Sequence, residues 1–378
     1  MTAERIPTAH SHPSFPVEGL DHLEAFGWGE PFAGAFHGHA ALGREPGRVV
    51  VEDRGRYLVQ TAAGEVTASI SGRFRFDAGD DPAAYPTVGD WVALDAHDPG
   101  NAIVHGLLPR RTVIRRLNPG RRTEAQVVAA NIDIGLIVTS MNQEFEPRRI
   151  ERYLAAVWES GARPAVVLSK ADLADDPDAY RMRAEGTAPG VPILLISAVT
   201  GAGVNEVRAL LARGRTVVAI GSSGVGKSTL VNALAGRELM AVREVRLDDD
   251  RGRHTTRRRQ LMVLPDGSLI LDTPGMRELA TWDGDGLAAS FADIEAVAAD
   301  CRFGDCSHRG EPGCAISAAL AEGHLDPRRL DGFRKLSREA AHLERRQDAL
   351  ARNEERRRWK VIHKSVRRHM KERYGDGS

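Results

Sequence analysis

The sequence predicts a multidomain fold: an N-terminal β-barrel, a central α/β domain and a C-terminal, mostly helical domain. Three observations carry this. Residues 48–112 hold short β-rich runs broken by Gly-containing turns. From Ala125 onward, apolar runs alternate with helical stretches, which implies a parallel sheet covered on both faces. After about residue 283 the pattern turns helical, with a Cys/His cluster followed by dense charge. The divisions fall at 1–45, 46–116, 117–283 and 284–378, and a 378-residue chain accommodates two to four domains of about 100–200 residues.

Composition narrows the class. Apolar residues make up 42% and charged residues 28%, ordinary values for a globular protein. The three Cys lie together between Cys301 and Cys314, which argues against a secreted disulfide framework. The N-terminus, MTAERIPTAHSHPSFP, has no apolar core and reads as no secretory signal. No apolar run approaches the ~18 residues of a membrane span, so the expectation is a cytoplasmic protein with no membrane partner. The formal net charge is zero but uneven: Arg328 to Arg373 holds 17 Lys/Arg and 7 Asp/Glu, a difference of +10. Such an arm suits an acidic partner, above all nucleic acid; the alternative is a solvated, salt-bridged helix.

Taken in order, residues 1–45 are polar and rich in Pro, Gly and His, with a short amphipathic helix expected around Leu20–Phe26. GRVVVEDRGRYLVQTAAGEVTASISGRFRF supplies three strands, and PTVGDWVALD and AIVHGLLPRRTVIRR supply two more. Five short strands fit a small closed barrel of the oligonucleotide-binding (OB-fold) type, with an SH3-like barrel as the alternative. IDIGLIVTSMN, ARPAVVLSKADL and VPILLISAVT read as buried strands, and RRIERYLAAVWESGA and GVNEVRALLARG as helices. RTVVAIGSSGVGKSTLVNALAG is strand, loop and helix, and RRRQLMVL leads through a Pro265-Asp266-Gly267 turn to the strand SLILDTPG.

Gly221-Ser222-Ser223-Gly224-Val225-Gly226-Lys227-Ser228, followed by Thr229, matches the phosphate-loop pattern G-x-x-x-x-G-K-[ST] between a strand and a helix. Glycines let backbone N–H groups turn toward a β-phosphate, and the helix N-terminus adds its positive end. Lys227 is expected to bridge β- and γ-phosphate oxygens, and Ser228 to place its hydroxyl on Mg²⁺. Asp272, opening Asp272-Thr273-Pro274-Gly275 at a strand end, would hold the same Mg²⁺, with the Gly275 N–H at the γ-phosphate. A plain turn is the alternative. Between them lies RGRHTTRRR, where Thr255 or Thr256 could reach Mg²⁺ in a switch, or simply bond nearby backbone.

Guanine presents N1–H and N2–H₂ side by side, and one carboxylate accepts both; adenine would leave that carboxylate unpaired. Asp172 of Ser169-Lys170-Ala171-Asp172 is the candidate carboxylate, with the Lys170 stem along the base. Ser197-Ala198, closing the next strand, offers a small residue whose N–H can approach guanine O6. These base-site motifs precede the phosphate loop, the reverse of the usual GTPase order. All of them close strands, and ligands bind along that sheet edge whatever the chain order, so the reading is a circular permutation. A phosphate-loop ATPase or metabolite kinase, and an RNA-binding scaffold in which nucleotide is structural, are the competing readings.

ADCRFGDCSHRGEPGCAI places Cys301, Cys306, His308 and Cys314 at x4, x and x5 spacings. Three thiolates and one imidazole form a closed tetrahedral set suited to structural zinc. The alternative is three free thiols in a reducing compartment.

With PTVGDWV, QVVAANIDIGLIVTSMN, EPRRIERYL, the permuted motifs, GRHTT and the Cys/His cluster, the chain from about Gly47 resembles the circularly permuted, ribosome-small-subunit-dependent GTPases (the RsgA/YjeQ type). The resemblance implies an OB barrel, a permuted GTPase domain and a zinc domain. It also implies GTP hydrolysis to GDP, stimulated by the small ribosomal subunit and its rRNA during late maturation of that subunit. A monomer is expected. His254 is similar to the family's proposed catalytic switch His, which would act where Met276 stands in place of a water-orienting Gln; an exposed loop His is the alternative. Ser169 replaces the usual Asn, and the expectation is that an amide bonding the base and tying its loop to the phosphate loop is lost, lowering GTP affinity while Asp172 retains the specificity. Residues 1–45 are poorly matched and are assigned no role.

Overall fold

The computed structural model of the protein describes residues 23–53, 55–98, 100–118, 121–240, 259–272, 284–342 and 344–345. His254, Thr255, Thr256, Gly275, Met276 and most of the basic arm therefore lie outside the described residues.

The chain enters through a 3-10 turn, Glu24–Phe26, and helix α1, Glu30–Ala40. The helix expected at Leu20–Phe26 is thus only one turn among the described residues. Gly27 ends it with φ 84°, and Pro31 starts α1 at a position that needs no N–H donor. Gly34 and Gly38 had hidden α1 from sequence. Phe26, Phe32 and Phe36 are buried around Trp28 and Trp91, so this segment is part of the core.

Strands β1 (Glu45–Asp53), β2 (Arg56–Thr61), β3 (Gly64–Ile70), β4 (Trp91–Asp98) and β5 (Asn101–Leu107) follow, with helix α2 (Gly72–Ala78) between β3 and β4. They pair in the order β1-β2-β3-β5-β4, and β4 returns to β1. The β3–β5 pair is parallel and the others antiparallel. That is a closed five-strand barrel of OB type with a helix between its third and fourth strands. Val49, Tyr57, Val59, Val92, Leu94 and Val104 fill its interior. The PTVGDWV stretch closes it. A Cβ at Gly89 would lie 2.1 Å from Ala130 O, and Asp90 accepts from the Thr87 N–H at 2.8 Å and from Arg110 at 2.8 and 2.7 Å.

β6 (Val113–Asn118) and β7 (Arg121–Ala130) form an antiparallel hairpin leading into the second sheet. There β8 (Ile134–Ser140), α3 (Pro147–Glu159), β9 (Arg163–Ser169), α4 (Pro177–Thr187), β10 (Ile193–Leu195), α5 (Val204–Leu210), β11 (Thr216–Ile220), α6 (Lys227–Ala235), β12 (Arg259–Val263) and β13 (Leu269–Asp272) succeed one another. The sheet order is β10-β9-β8-β11-β13-β12. All neighbours are parallel except β12, which runs antiparallel to β13. β8, first in the chain, lies in the middle beside the phosphate-loop strand β11. The permutation expected from motif order is therefore the topology observed.

β12 also pairs with β1, Val51 opposite Gln260 and Glu52 opposite Arg259, so barrel and α/β sheet are continuous. The buried Arg48 spans the same junction. Its guanidinium donates to Gly89 O (3.2 Å), Asn131 O (3.2 Å), Thr216 Oγ1 (2.7 Å) and Phe26 O.

The C-terminal part contains α7 (Gly284–Ser290), α8 (Ala292–Ala298), α9 (Ala315–Ala321) and a helix over 327–342, here α10. It packs against α3, where a Cβ at Gly286 would lie 2.4 Å from Ala155 O. Arg329 of α10 is 5% exposed and donates to Glu151 of α3 (3.1 Å), Thr187 O (2.9 Å) and Asp293 (2.8 Å), with its fork 4.4 Å from the Phe291 ring.

Candidate nucleotide site and metal centre

β11 is a buried TVVAI run that delivers its C-terminal end to Gly221. Gly221 has φ 153°, and a Cβ there would lie 2.2 Å from Val138 O of β8. Gly224 (φ 77°) and Gly226 (φ 96°) turn the loop, and Gly226 sits at the N-cap of α6 with no side-chain cap. The first N–H groups of α6 are thereby left for a ligand. The buried Val225 pins the loop, while Ser223 and Gly224 are exposed. Lys227 Nζ bonds Gly221 O (2.9 Å) and Ser222 O, folded over the cradle it is expected to serve. Ser228 and Thr229 follow in the first turn of α6, half-buried.

Asp272 closes β13, one residue beyond the Val218–Leu271 pairing, beside the phosphate-loop strand. The base motifs close the strands on the other side of β11. Ser169 ends β9, paired with Ser140 of β8. Lys170 then adopts φ 61°, a left-handed residue that turns the chain sharply, and Asp172 follows, exposed, in a 3-10 turn. The Ala171 N–H bonds Ile196 O at 3.0 Å and so joins this loop to the one carrying Ser197 and Ala198. Ser197 is buried in a tight turn: its N–H reaches Ala202 O at 2.9 Å and its hydroxyl accepts from the Thr200 N–H at 3.1 Å. Phosphate loop, Asp272, Asp172 and Ser197-Ala198 thus share the C-terminal edge of one parallel sheet.

Ser169 differs from expectation. The tether to the phosphate loop is present, because its hydroxyl donates to Val225 O at 2.5 Å, with Thr139 O at 3.2 Å. A buried hydroxyl on a short stem does this because β9 and the loop approach closely: a Cβ at Gly226 would lie 3.6 Å from Ser169 Oγ.

One contact lies outside the site residues expected from sequence. Arg149, in the first turn of α3, donates from Nη1 to Ser222 Oγ at 2.7 Å and pairs with Glu144 at 3.3 Å. Glu146-Pro147-Arg148-Arg149 opens the EPRRIERYL stretch that carries part of the family resemblance, but a contact with the phosphate loop does not read from it.

The Cys/His residues converge. The ligand atoms of Cys301, Cys306, His308 and Cys314 all lie within 4.8 Å of one another, with His308 Nδ1 3.5 Å from Cys301 Sγ and 3.7 Å from Cys314 Sγ. A tetrahedral zinc with ligand bonds of about 2.0–2.3 Å requires donor separations of roughly 3.5–3.8 Å, so the set fits that ion. His308 holds φ 58°, a bend that aims the ring inward. Glu311 caps the loop. Hydrogen bonds from the Ser307 hydroxyl, from its own backbone and from the Arg309 N–H hold its carboxyl down to about 2.

Known proteins agree with this geometry. The family described as RsgA GTPase matches residues 107–282. The small ribosomal subunit biogenesis GTPase RsgA 1 of Oceanobacillus iheyensis is 45% identical over 318 residues, 83% of this chain and 90% of the relative. The small ribosomal subunit biogenesis GTPase RsgA of Streptomyces coelicolor is 45% identical over 344 residues, 89% and 92% of the two chains. Among solved structures, YjeQ from Thermotoga maritima superposes with a TM-score of 0.61 at 25% identity, covering 79% of this chain and 99% of that one. With the permuted sheet, the phosphate loop and this identity over most of its length, the chain belongs to the RsgA GTPase family and is a GTP-hydrolysing enzyme.

Proposed function

We propose that this GTPase binds the small ribosomal subunit through rRNA, hydrolyses GTP under its stimulation, and acts in late maturation of that subunit. The observation that supports it most is the permuted sheet edge, which gathers Lys227, Asp172 and Ser197-Ala198, in a chain so similar to proteins named for small-subunit biogenesis.

In this reading Lys227 exchanges the Gly221 and Ser222 carbonyls for β- and γ-phosphate oxygens. Backbone N–H groups from Ser222 to Thr229 cradle the phosphates. Ser228 and Asp272 would hold Mg²⁺, which when bound neutralises charge on the β- and γ-oxygens. Asp172 accepts from the guanine edge, the Lys170 stem covers the base, and the Ala198 N–H meets O6. ATP would leave that carboxylate unpaired, which disfavours the kinase and ATPase readings. Thr255 or Thr256 and the Gly275 N–H would complete the γ-phosphate shell, and His254 would orient the attacking water. Cys301, Cys306, His308 and Cys314 would hold one structural zinc. The basic arm and the barrel would contact rRNA, with the four-part division of the chain and a monomeric state as expected from sequence.

Co-sedimentation tests the partner. The full chain with a non-hydrolysable GTP analogue is expected to pellet with purified small subunits, and to pellet much less with GDP. No nucleotide-dependent association would overturn the proposal.

A further inference from the structure

We propose that Arg149 is a positioning residue for GTP hydrolysis, supplied in cis by α3 and acting through Ser222 on the γ-phosphate side of the site. The inference rests on the GTPase reading and deepens it.

Two cations converge on Ser222. The Lys227 ammonium bonds its carbonyl oxygen and the Arg149 guanidinium bonds its hydroxyl at 2.7 Å. Lys227 is the group expected to leave the Gly221 and Ser222 carbonyls for β- and γ-phosphate oxygens, and Ser222 belongs to the same phosphate loop. Arg149 uses only Nη1 for both of its bonds, to Ser222 and to Glu144. Among the described residues its Nε and Nη2 donate to nothing, and its side chain is 38% exposed. The bond to Ser222 fixes that side chain on the phosphate loop and adds a positive charge beside it.

The bland alternative is a surface ion pair with Glu144 that happens to brush the loop. At 3.3 Å, with Glu144 55% exposed, that pair contributes little and would not select this rotamer. The shorter bond is the one to Ser222. The element presenting Arg149 is also rigid. Ile150, Leu154 and Val157 bury one face of α3, a Cβ at Gly135 of β8 would lie 2.7 Å from Val157, and Glu151 is locked to Arg329. A cation held by a fixed helix costs little reorganisation as charge builds in the transition state.

The test uses full-length protein, fluorescent mant-GTP and mant-GDP, and steady-state turnover of GTP. Arg149→Ala is expected to lower kcat/KM for GTP about tenfold while the mant-GDP Kd stays within about twofold. Arg149→Lys, which keeps the charge without the fork, should recover part of the loss. Adding Ser222→Ala to Arg149→Ala should cost nothing further, because both remove one interaction. Wild-type kcat/KM in Arg149→Ala, additive losses in the double variant, or equal weakening of GTP and GDP with a lowered melting temperature would each overturn the inference while the GTPase reading stands. A wild-type chain that binds no GTP would overturn both.

Discussion

Asp172 and Ser169 divide the labour of the base loop. Asp172 is exposed in a 3-10 turn and its carboxylate has no partner among the described residues, so it is available to a ligand. Ser169 is buried and spends its hydroxyl on Val225 O. Asp172→Asn removes the charged acceptor for two guanine donors, and a hydrogen bond to a charged group is worth about 1.5–3 kcal/mol. GTP affinity should therefore fall roughly 10- to 100-fold, with discrimination against ATP reduced, read by competition titration. Ser169→Ala leaves Val225 O without its donor and should weaken GTP and GDP alike by a few fold, about 1 kcal/mol. Ser169→Asn should leave binding unchanged or strengthen it, because an amide can make the same tether and reach further. Sequence showed only that Asn was missing. It could not show that β9 approaches the phosphate loop closely enough for a hydroxyl to substitute.

At the scale of elements, α3 is the beam on which the C-terminal part rests. Glu151 and Arg329 are both 5% exposed and pair across it. Burial pushes the Glu151 carboxyl above its ordinary range, with the Arg329 charge and hydrogen bond opposing. Glu151→Ala leaves Arg329 paired with Asp293 alone and removes one of its buried acceptors, so it should destabilise the fold by about 1–3 kcal/mol in denaturant melts. Gly332→Ala would place a methyl 2.4 Å from Glu151 Oε2 and should destabilise by about 1–3 kcal/mol for steric reasons. Strands and helices with clear periodicity, such as β8, α3 and β11, were legible because one face or both faces are buried in regular fashion. α1 was not, since Gly34 and Gly38 dilute its pattern. α2 was not either: Gly-Arg-Phe-Arg-Phe alternates as a strand would, yet Ser71 caps it as a helix by accepting from the Phe74 N–H at 3.0 Å. The contacts of Arg149 and Arg329 are not legible in the sequence because their partners lie 73 and 178 residues away.

At the scale of the molecule, the N-terminal segment, the barrel and the α/β sheet meet at Arg48. One guanidinium from the barrel bonds the N-terminal segment, the β4 approach and the starts of β8 and β11. Burial pushes its pKa down to about 10, with Asp133 and Asp90 pulling the other way. Arg48→Met fills the space but strands several carbonyls, and should lower stability by about 3–5 kcal/mol while loosening the barrel against the GTPase sheet, detectable by hydrogen exchange at β1 and β12. The same continuity accounts for the permuted order: cutting the chain ahead of β8 leaves the nucleotide edge intact and sends β13 directly toward the helices that carry the Cys/His centre. Motif order made the permutation legible from sequence, whereas the fusion of barrel and sheet through β1 and β12 depends on register that no motif records. The central claim is that this assembly hydrolyses GTP when the small subunit engages it. Turnover of GTP by the full chain, measured with and without purified small ribosomal subunits, tests that most directly. Turnover is expected to be slow alone and to rise tenfold or more, on the order of what added transition-state contacts supply, when subunits are present, with the stimulation lost in His254→Ala. Identical turnover with and without subunits would contradict it.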